Sequence, residues 1–298
     1  MRLTLAVRLL LPILASLPAA AQLVIETTES VAKDSPEGWA MRYFAGTTVM
    51  TSFGATASLA TWRGAIAVEL GGIPSLSEEQ QRVGFGGFKQ EDLNKSPVFG
   101  RLRGTLGLPG DWVAELGYTP QVEIDGTKAR DLVAIAIGRR LVQEGAFSLS
   151  MRALGQVGKV QGDITCPAHI AGVADIAVNP VGCRAPSRDA FTTNHYGIDA
   201  TVAWDAGDWK WHAGAGIART RLAVQVDAPL ESVRDRTRLT SDGSLPWFTL
   251  GVRRAIDADW SVALEILHVP LEVGRPPDFT TERDSLTSWR AQLRREFR

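Results

Sequence analysis

The chain has 298 residues, with 32 basic and 33 acidic side chains and a formal net charge of −1. That length holds either two ordinary soluble domains or one barrel, and the balanced charge excludes a bulk attraction to nucleic acid. It carries 29 Gly and 9 Trp but only 2 Cys, a composition suited to sheets with tight turns.

The chain opens on MRLTLAVRLLLPILASLPAAAQ. Arg2 and Arg8 precede an apolar run from Leu9 to Leu17, and Ala19-Ala20-Ala21 supplies a small-residue cleavage site. This is the pattern of a secretory signal peptide over residues 1–21. The apolar run is shorter than the roughly 20 residues that span a bilayer as a helix. No other apolar stretch reaches that length, and no cysteine near Ala21 offers a lipid attachment point.

From Trp62 the pattern is period-two. Trp62, Gly64, Ile66, Val68 and Leu70 alternate with Arg63, Ala65, Ala67 and Glu69. Four hairpins follow. In the first, Gly100–Leu108 turns at Pro109-Gly110-Asp111 into Trp112–Tyr118. In the second, Arg130–Val142 turns at Gln143-Glu144-Gly145 into a strand from Phe147. The third joins His195–Asp205 to a strand from Trp209, and the fourth joins Trp247–Ile256 to a strand from Trp260. A final strand, Leu286–Phe297, alternates Thr287, Trp289, Ala291 and Leu293 with Arg290, Gln292 and Arg294. Each such segment reads as a half-buried strand. The expected fold is all-β: an antiparallel transmembrane β-barrel of about ten strands (10–12), even in number. The four turns are short, whereas the connections 73–97, 121–129, 161–193, 227–244 and 272–285 are long. Short turns on the periplasmic side and long loops outside are the rule for such barrels, and both termini then fall on the periplasmic side.

One detail of the hairpins repeats. PGDWVAELGY, EGAFSLSM, AGDWKWHAG and DADWSVAL each place an aromatic just after a tight turn. Trp112, Phe147, Trp209 and Trp260 therefore stand at one height on the outer face, joined by Phe297 at the end of the last strand. Amphipathic rings favour the headgroup level, so these residues are expected to form the periplasmic aromatic girdle. The leader pattern, the DW-type turns and the final strand TSWRAQLRREFR make the chain resemble bacterial outer-membrane β-barrel proteins over roughly residues 62–298. The resemblance implies a Gram-negative outer-membrane location, lipid around the barrel and the barrel-assembly machinery as a partner. That machinery recognises a terminal aromatic, and here Arg298 follows Phe297.

Residues 22–61 fit the alternation poorly. Met41 to Met50 reads as a strand, or as a short helix with Met41, Phe44, Ala45 and Thr48 on one face; Gly46, Thr47 and Thr48 count against the helix. An added strand would make the count odd, so the expectation is a plug in the lumen or against the periplasmic mouth.

The inner face collects charge. Arg63, Arg101, Arg103, Arg140, Arg152, Lys210, Arg253, Arg290 and Arg294 stand against Glu69, Glu115, Asp199, Glu265 and Glu296. One reading is an ion-pair network filling a narrow interior, since about eight strands enclose just enough room for side chains. The other is a basic constriction that selects small anionic, polar or amphiphilic solutes, with Arg101 and Arg103 its best local candidates. Cys166 and Cys183 lie in a Pro- and Gly-rich stretch of an exported chain and are expected to staple the longest loop by a disulfide. His169 beside them is too little for a metal site, and no cofactor motif occurs. His195 and Asp199 share a face but stand about 13 Å apart along a strand, too far for a relay. The expected function is a passive channel or transporter. The alternatives are a non-conducting barrel whose stapled loops bind a surface ligand and, last, a barrel hydrolase.

Overall fold

The computed structural model describes residues 23–54 and 59–297, so the expected signal peptide lies outside the described residues. Ten antiparallel strands close one barrel: β1 (Gly64–Gly72), β2 (Val98–Leu108), β3 (Trp112–Tyr118), β4 (Thr127–Glu144), β5 (Phe147–Gly162), β6 (Asp189–Ala206), β7 (Trp209–Gln225), β8 (Arg238–Ala255), β9 (Trp260–Val269) and β10 (Leu286–Phe297). Neighbours in sequence are neighbours in the sheet, and β10 returns to β1 with Phe297 opposite Gly64 and Arg290 opposite Gly71. Small inward residues such as Ala65, Ala67, Ala134 and Ala136 let this wall curve around its contents.

The wall is uneven. β4 to β8 run much further toward the long-loop end than β1, β3 and β9 do. The alternation in the sequence ends early because the upper strands rise above the apolar belt. There the outward positions are polar, as with Thr192 and Asn194, Arg219 and Arg221, or Asp242 and Ser244. Asp242-Gly243-Ser244 looks like a turn in the sequence, yet it pairs with Arg219, Thr220 and Arg221 inside the β7–β8 ladder.

The N-terminal segment begins at the long-loop end. Leu23–Ile25 pairs in parallel with Val233–Asp235, and Thr28–Ser30 pairs in parallel with Arg238–Thr240. The latter covers the edge that β8 exposes beyond β9, whose ladder with β8 stops at Phe248 opposite His268. Gly64 and Phe297 do sit together at the short-turn end, so the expected placement holds for the barrel's own ends but not for this segment.

Next comes α1 (Pro36–Thr47). Ser35 caps it, accepting from the Gly38 amide at 3.2 Å, and Pro36 occupies the first turn, where its missing N–H costs nothing. The helix lies inside the upper barrel. Gly46, a poor helix former, is where α1 approaches the wall: a Cβ there would meet Leu286 at 3.0 Å and Val269 at 3.2 Å. Trp39, Met41 and Tyr43 pack with Leu76, Leu271 and Val273 from the long loops and with Leu245, Trp247 and Leu267 from the wall. Each fully buried side chain of this size contributes roughly 1.5–3 kcal/mol. Polar ties fix the helix from above: Trp39 Nε1 donates to Asp284 O at 2.8 Å, Arg42 Nη2 to Glu272 O at 3.1 Å and Tyr43 Oη to Pro74 O at 3.1 Å. The hydrophobic core therefore sits in the mouth of the barrel, not between layers.

Candidate functional site

Below α1 the chain descends through the lumen as a non-helical strap, residues 48–54. Among the described residues, the carbonyls of Thr48, Val49, Met50, Thr51 and Phe53 take no backbone N–H, whereas Gly46 O at the end of α1 takes the Val49 amide at 3.3 Å and keeps a lone pair free for a second donor. Arginines on the wall supply the donors. Arg101 Nη2 donates to Thr48 O at 2.5 Å, Arg103 Nη2 to Thr51 O at 2.8 Å and Arg152 Nη2 to Met50 O at 2.8 Å. Arg253 Nη2 donates to Phe53 O at 2.8 Å. Arg290 donates to Gly46 O at 3.1 Å, Thr47 O at 3.0 Å and Val49 O. A guanidinium suits this role because its fork reaches several acceptors at once and stays charged.

Carboxylates on the wall balance those charges. Asp199 lies directly opposite Arg152 in the β5–β6 ladder and takes its Nη2 at 2.5 Å. Glu115 accepts from Arg152 at 2.7 Å and lies 3.4 Å from Arg103. Glu69 forms an ion pair with Arg103, whose Nε lies 2.6 Å away, and accepts from the Gln292 amide at 2.8 Å. Glu265 pairs with His212 at 3.1 Å. Two glycines make the room: a Cβ at Gly216 would meet the Trp247 ring at 2.2 Å, and one at Gly251 would meet His212 Nε2 at 2.6 Å.

Of the residues expected to line the lumen, the structure gathers Arg101, Arg103, Glu115, Arg152, Asp199, Arg253, Glu265 and Arg290 around the strap. Arg63, Arg140 and Lys210 do not join them. Arg63 precedes β1 and is exposed. Arg140 reaches out to Asp111 of the first turn at 3.2 Å, and Lys210 pairs with Asp205 at 3.2 Å on the rim. All three lie within a few residues of the short-turn end, where an inward-pointing side chain meets water. Alternation fixes the face of a residue but not its height.

A second feature was invisible to the alternation. Between α1 and the upper wall lies a cavity of about 480 Å³, within the roughly 300–1,000 Å³ typical of small-molecule sites. One helix face, Glu37, Met41, Phe44 and Thr48, borders it at helical spacing; Leu132, Phe191, Val224 and Leu239 face it from the wall. Arg101 and Glu69 are the buried charges at its base. Phe191 and Leu239 fall in segments that read as loops. The legible signal was an apolar residue at an inward position, as at Leu222, Leu245 and Trp247, where a water-filled lumen would carry polar ones.

Glu91 of loop 73–97 borders the same cavity. Burial pushes its carboxyl up to about 7; Lys89 opposes this, and Asp189 and Asp235 add to it. Because the folded value lies above the ordinary 4.5, the stability linked to Glu91 is fully present below about pH 4.5 and is lost as pH rises through about 7. The amides of Val83 and Glu91, both bonded to Gln81 O at 2.9 Å, should therefore exchange faster at pH 8 than at pH 5.5 after correction for intrinsic rates. Glu91→Gln should flatten the difference; unchanged protection across that range in the wild type would refute it.

The outer surface decides the setting of this machinery. Ile66, Leu102, Leu116, Ile135, Met151, Ile198, Trp211, Leu250, Leu264 and Trp289, one from each strand, are all exposed. A soluble barrel does not expose an unbroken apolar belt. Trp112, Phe147, Trp209, Trp260 and Phe297 ring its lower edge, each half-exposed. Three have an arginine directly across the ladder and in cation–π contact: Arg139 over Trp112 at 5.8 Å, Arg254 over Trp209 at 5.0 Å and Arg295 over Trp260 at 5.4 Å. The chain has the fold of a bacterial outer-membrane β-barrel.

Solved outer-membrane barrels are similar to it. The outer membrane protease OmpT from Escherichia coli shares 10% identity at a TM-score of 0.39, over 81% of this chain and 98% of that one. The translocator domain of the autotransporter NalP from Neisseria meningitidis shares 9% at 0.44, over 80% and 89%. The toluene transporter TodX from Pseudomonas putida shares 10% at 0.35, over 91% and 78%. At such identities the likeness bears on the fold alone. No protein-family model matches the chain, and no curated protein matches it.

Cys166 and Cys183 are joined in the longest loop of this barrel, their Cα atoms 5.6 Å apart. Among the described residues, no hydroxyl is bonded to a histidine that also holds a carboxylate. His212 pairs with Glu265, His268 with Thr287, and both ring nitrogens of His195 lack a hydrogen bond. Nor, among the described residues, does any cluster of three His, Cys, Asp or Glu side chains suit a metal ion.

Proposed function

We propose that the protein is a bacterial outer-membrane transporter of a small apolar or amphiphilic molecule, held in the cavity beside α1 and passed on when the strap shifts. The cavity is the observation that carries this reading: an apolar chamber of about 480 Å³ has no use in a barrel that is merely a scaffold. A permanently open pore for polar solutes is a poorer account, because strap carbonyls and wall carboxylates occupy the arginines that would line it. The long loops, on this reading, face the outside.

The test pairs conductance with binding. In planar bilayers the protein should show no steady conductance. In vesicles it should bind N-phenyl-1-naphthylamine, whose fluorescence rises in apolar surroundings, saturably and at one site. Ala129→Trp fills the cavity from β4 and should weaken that binding at least tenfold while the barrel still folds, as judged by heat-modifiable mobility. Steady conductance without saturable binding would overturn the proposal. A silent barrel that binds nothing would favour the loop stapled by Cys166 and Cys183 as a surface-ligand site.

A further inference from the structure

We infer that the cavity is entered sideways, from the outer half of the membrane, through an interval in the wall between the upper part of β2 and β4, and that its ligand is a single-chain amphiphile whose acidic head sits at Arg101. This rests on the proposed function above and specifies route and ligand class.

The interval follows from the ladders. β2 pairs with β1 along its whole upper part, Val98 opposite Gly72 and Arg101 opposite Glu69. Its pairing with β3 starts only at Leu102 opposite Tyr118. β3 ends there, while β4 continues upward along β5 to Lys128 opposite Gln161. Among the described residues, no backbone hydrogen bond joins Val98–Arg101 to the chain 119–124 that leaves β3. The side chains agree. The cavity is lined by inward Arg101, Leu132 and Phe191, and also by Leu70, Leu102 and Val122, which stand 49%, 48% and 64% exposed on the outside. One continuous space touches both sides of the wall only if it passes through it.

The interval opens at membrane depth. Leu102 and Leu70 each lie six residues from the short-turn end of their strands, at Leu108 and Gly64. At about 3.3 Å per residue and a tilt of about 40°, that is roughly 15 Å above the girdle, within an apolar band about 25 Å tall. Free strand edges are not tolerated against lipid at that depth unless they line a cavity, and this one does.

Arg101 names the ligand's polar end. It is 2% exposed, and its Nη2 is used by Thr48 O and Gln156. Nη1 has no hydrogen-bond partner; its nearest carboxylate oxygen, on Glu69, is 3.8 Å away. Glu69 itself is held at its other oxygen by Arg103 and Gln292. A buried guanidinium N–H left unbonded favours an acceptor, and most strongly an anionic one. Above it Phe44, Leu132, Phe191 and Val224 offer only hydrocarbon to the tail. A carboxylic acid of one acyl chain meets both conditions, whether it comes from the lipid phase or from water.

The experiment uses the full-length barrel in vesicles and parinaric acid, a fluorescent C18 fatty acid, read by energy transfer from tryptophan. Wild-type protein should bind the acid at least tenfold more tightly than parinaryl alcohol; equal affinities would overturn the head assignment. The route is read from association rates with probe dissolved in the bilayer. A Cβ at Gly100 has only ordinary contacts, with Leu70 at 3.8 Å and Glu69 O at 3.9 Å, so Gly100→Trp places a wedge in the interval. It should slow association at least tenfold at unchanged equilibrium affinity, and Val122→Trp, from the opposite lip, should do the same if the first variant folds poorly. Wild-type rates in both wedges would overturn the lateral route and point to entry from water, leaving the cavity reading intact. Failure of the wild type to bind either probe would instead sink the cavity reading itself.

Discussion

Deleting residues 23–54 should turn a closed barrel into a conducting one. The ten-strand ladder does not depend on that segment, since each barrel strand is paired on both sides by other barrel strands. What goes is the content of the lumen: α1, the strap, and the acceptors of Arg101, Arg103, Arg152, Arg253 and Arg290. Among the described residues, the exposed interior then holds these five arginines and Arg294 against Glu69, Glu115, Asp199 and Glu265. Rings of arginine favour anions. Discrete steps with anion preference are expected in planar bilayers, where the intact protein should be silent. The variant should also melt lower, because the buried cluster around Trp39, Met41 and Tyr43 is lost. A variant that folds and stays silent would show that the wall side chains close the lumen unaided.

Arg152→Ala should be among the most damaging single substitutions in the wall. Arg152 binds Asp199, Glu115 and the Met50 carbonyl together, and its side chain is 1% exposed. Its removal strands the buried carboxylate of Asp199 and leaves Glu115 only Arg103 at 3.4 Å, and breaking a buried pair in this way typically costs about 3–5 kcal/mol. The neutral double variant Arg152→Leu, Asp199→Leu removes one charge of each sign and should recover more than half of that loss. Urea unfolding in vesicles, arranged as a double-mutant cycle, measures the coupling. A cost below about 1 kcal/mol for Arg152→Ala would mean that the carboxylates find other partners or water, and that the network is loosely held.

The sequence made the lower half of this barrel legible and the upper half much less so, for one physical reason. Near the short turns, one face meets lipid and the other meets charge, so hydrophobicity alternates strictly: Ile66, Val68 and Leu70 lie outside, Ala67 and Glu69 inside. Higher up the lumen is filled by an apolar helix, so Leu222, Leu245 and Trp247 turn inward, while Arg219, Arg221 and Asp242 turn outward to water. The two halves of one strand thus carry opposite patterns, and the alternation marks β8 only from Trp247, whereas the strand starts at Arg238. The arginines were legible as a set, but their acceptors were not. Backbone carbonyls leave no trace in residue identity, and nothing in GTTVMTSFG marks it as the rod that Arg101, Arg103, Arg152, Arg253 and Arg290 grip.

The strap also has a bearing on how the ring is assembled. Leu23–Ile25 lies at one rim, and at the other Trp62 and Arg63, bonded to Gly107, lead into Gly64, the first rung of the β1–β10 seam. Filling an already closed ring would mean drawing residues 23–47, helix included, lengthwise through the lumen past the arginines that hold the strap. An order in which β1 and β10 join last needs no threading, because the wall then curls around a core already in place. The protein is topologically a bead moulded on its own string, and the seam is the clasp.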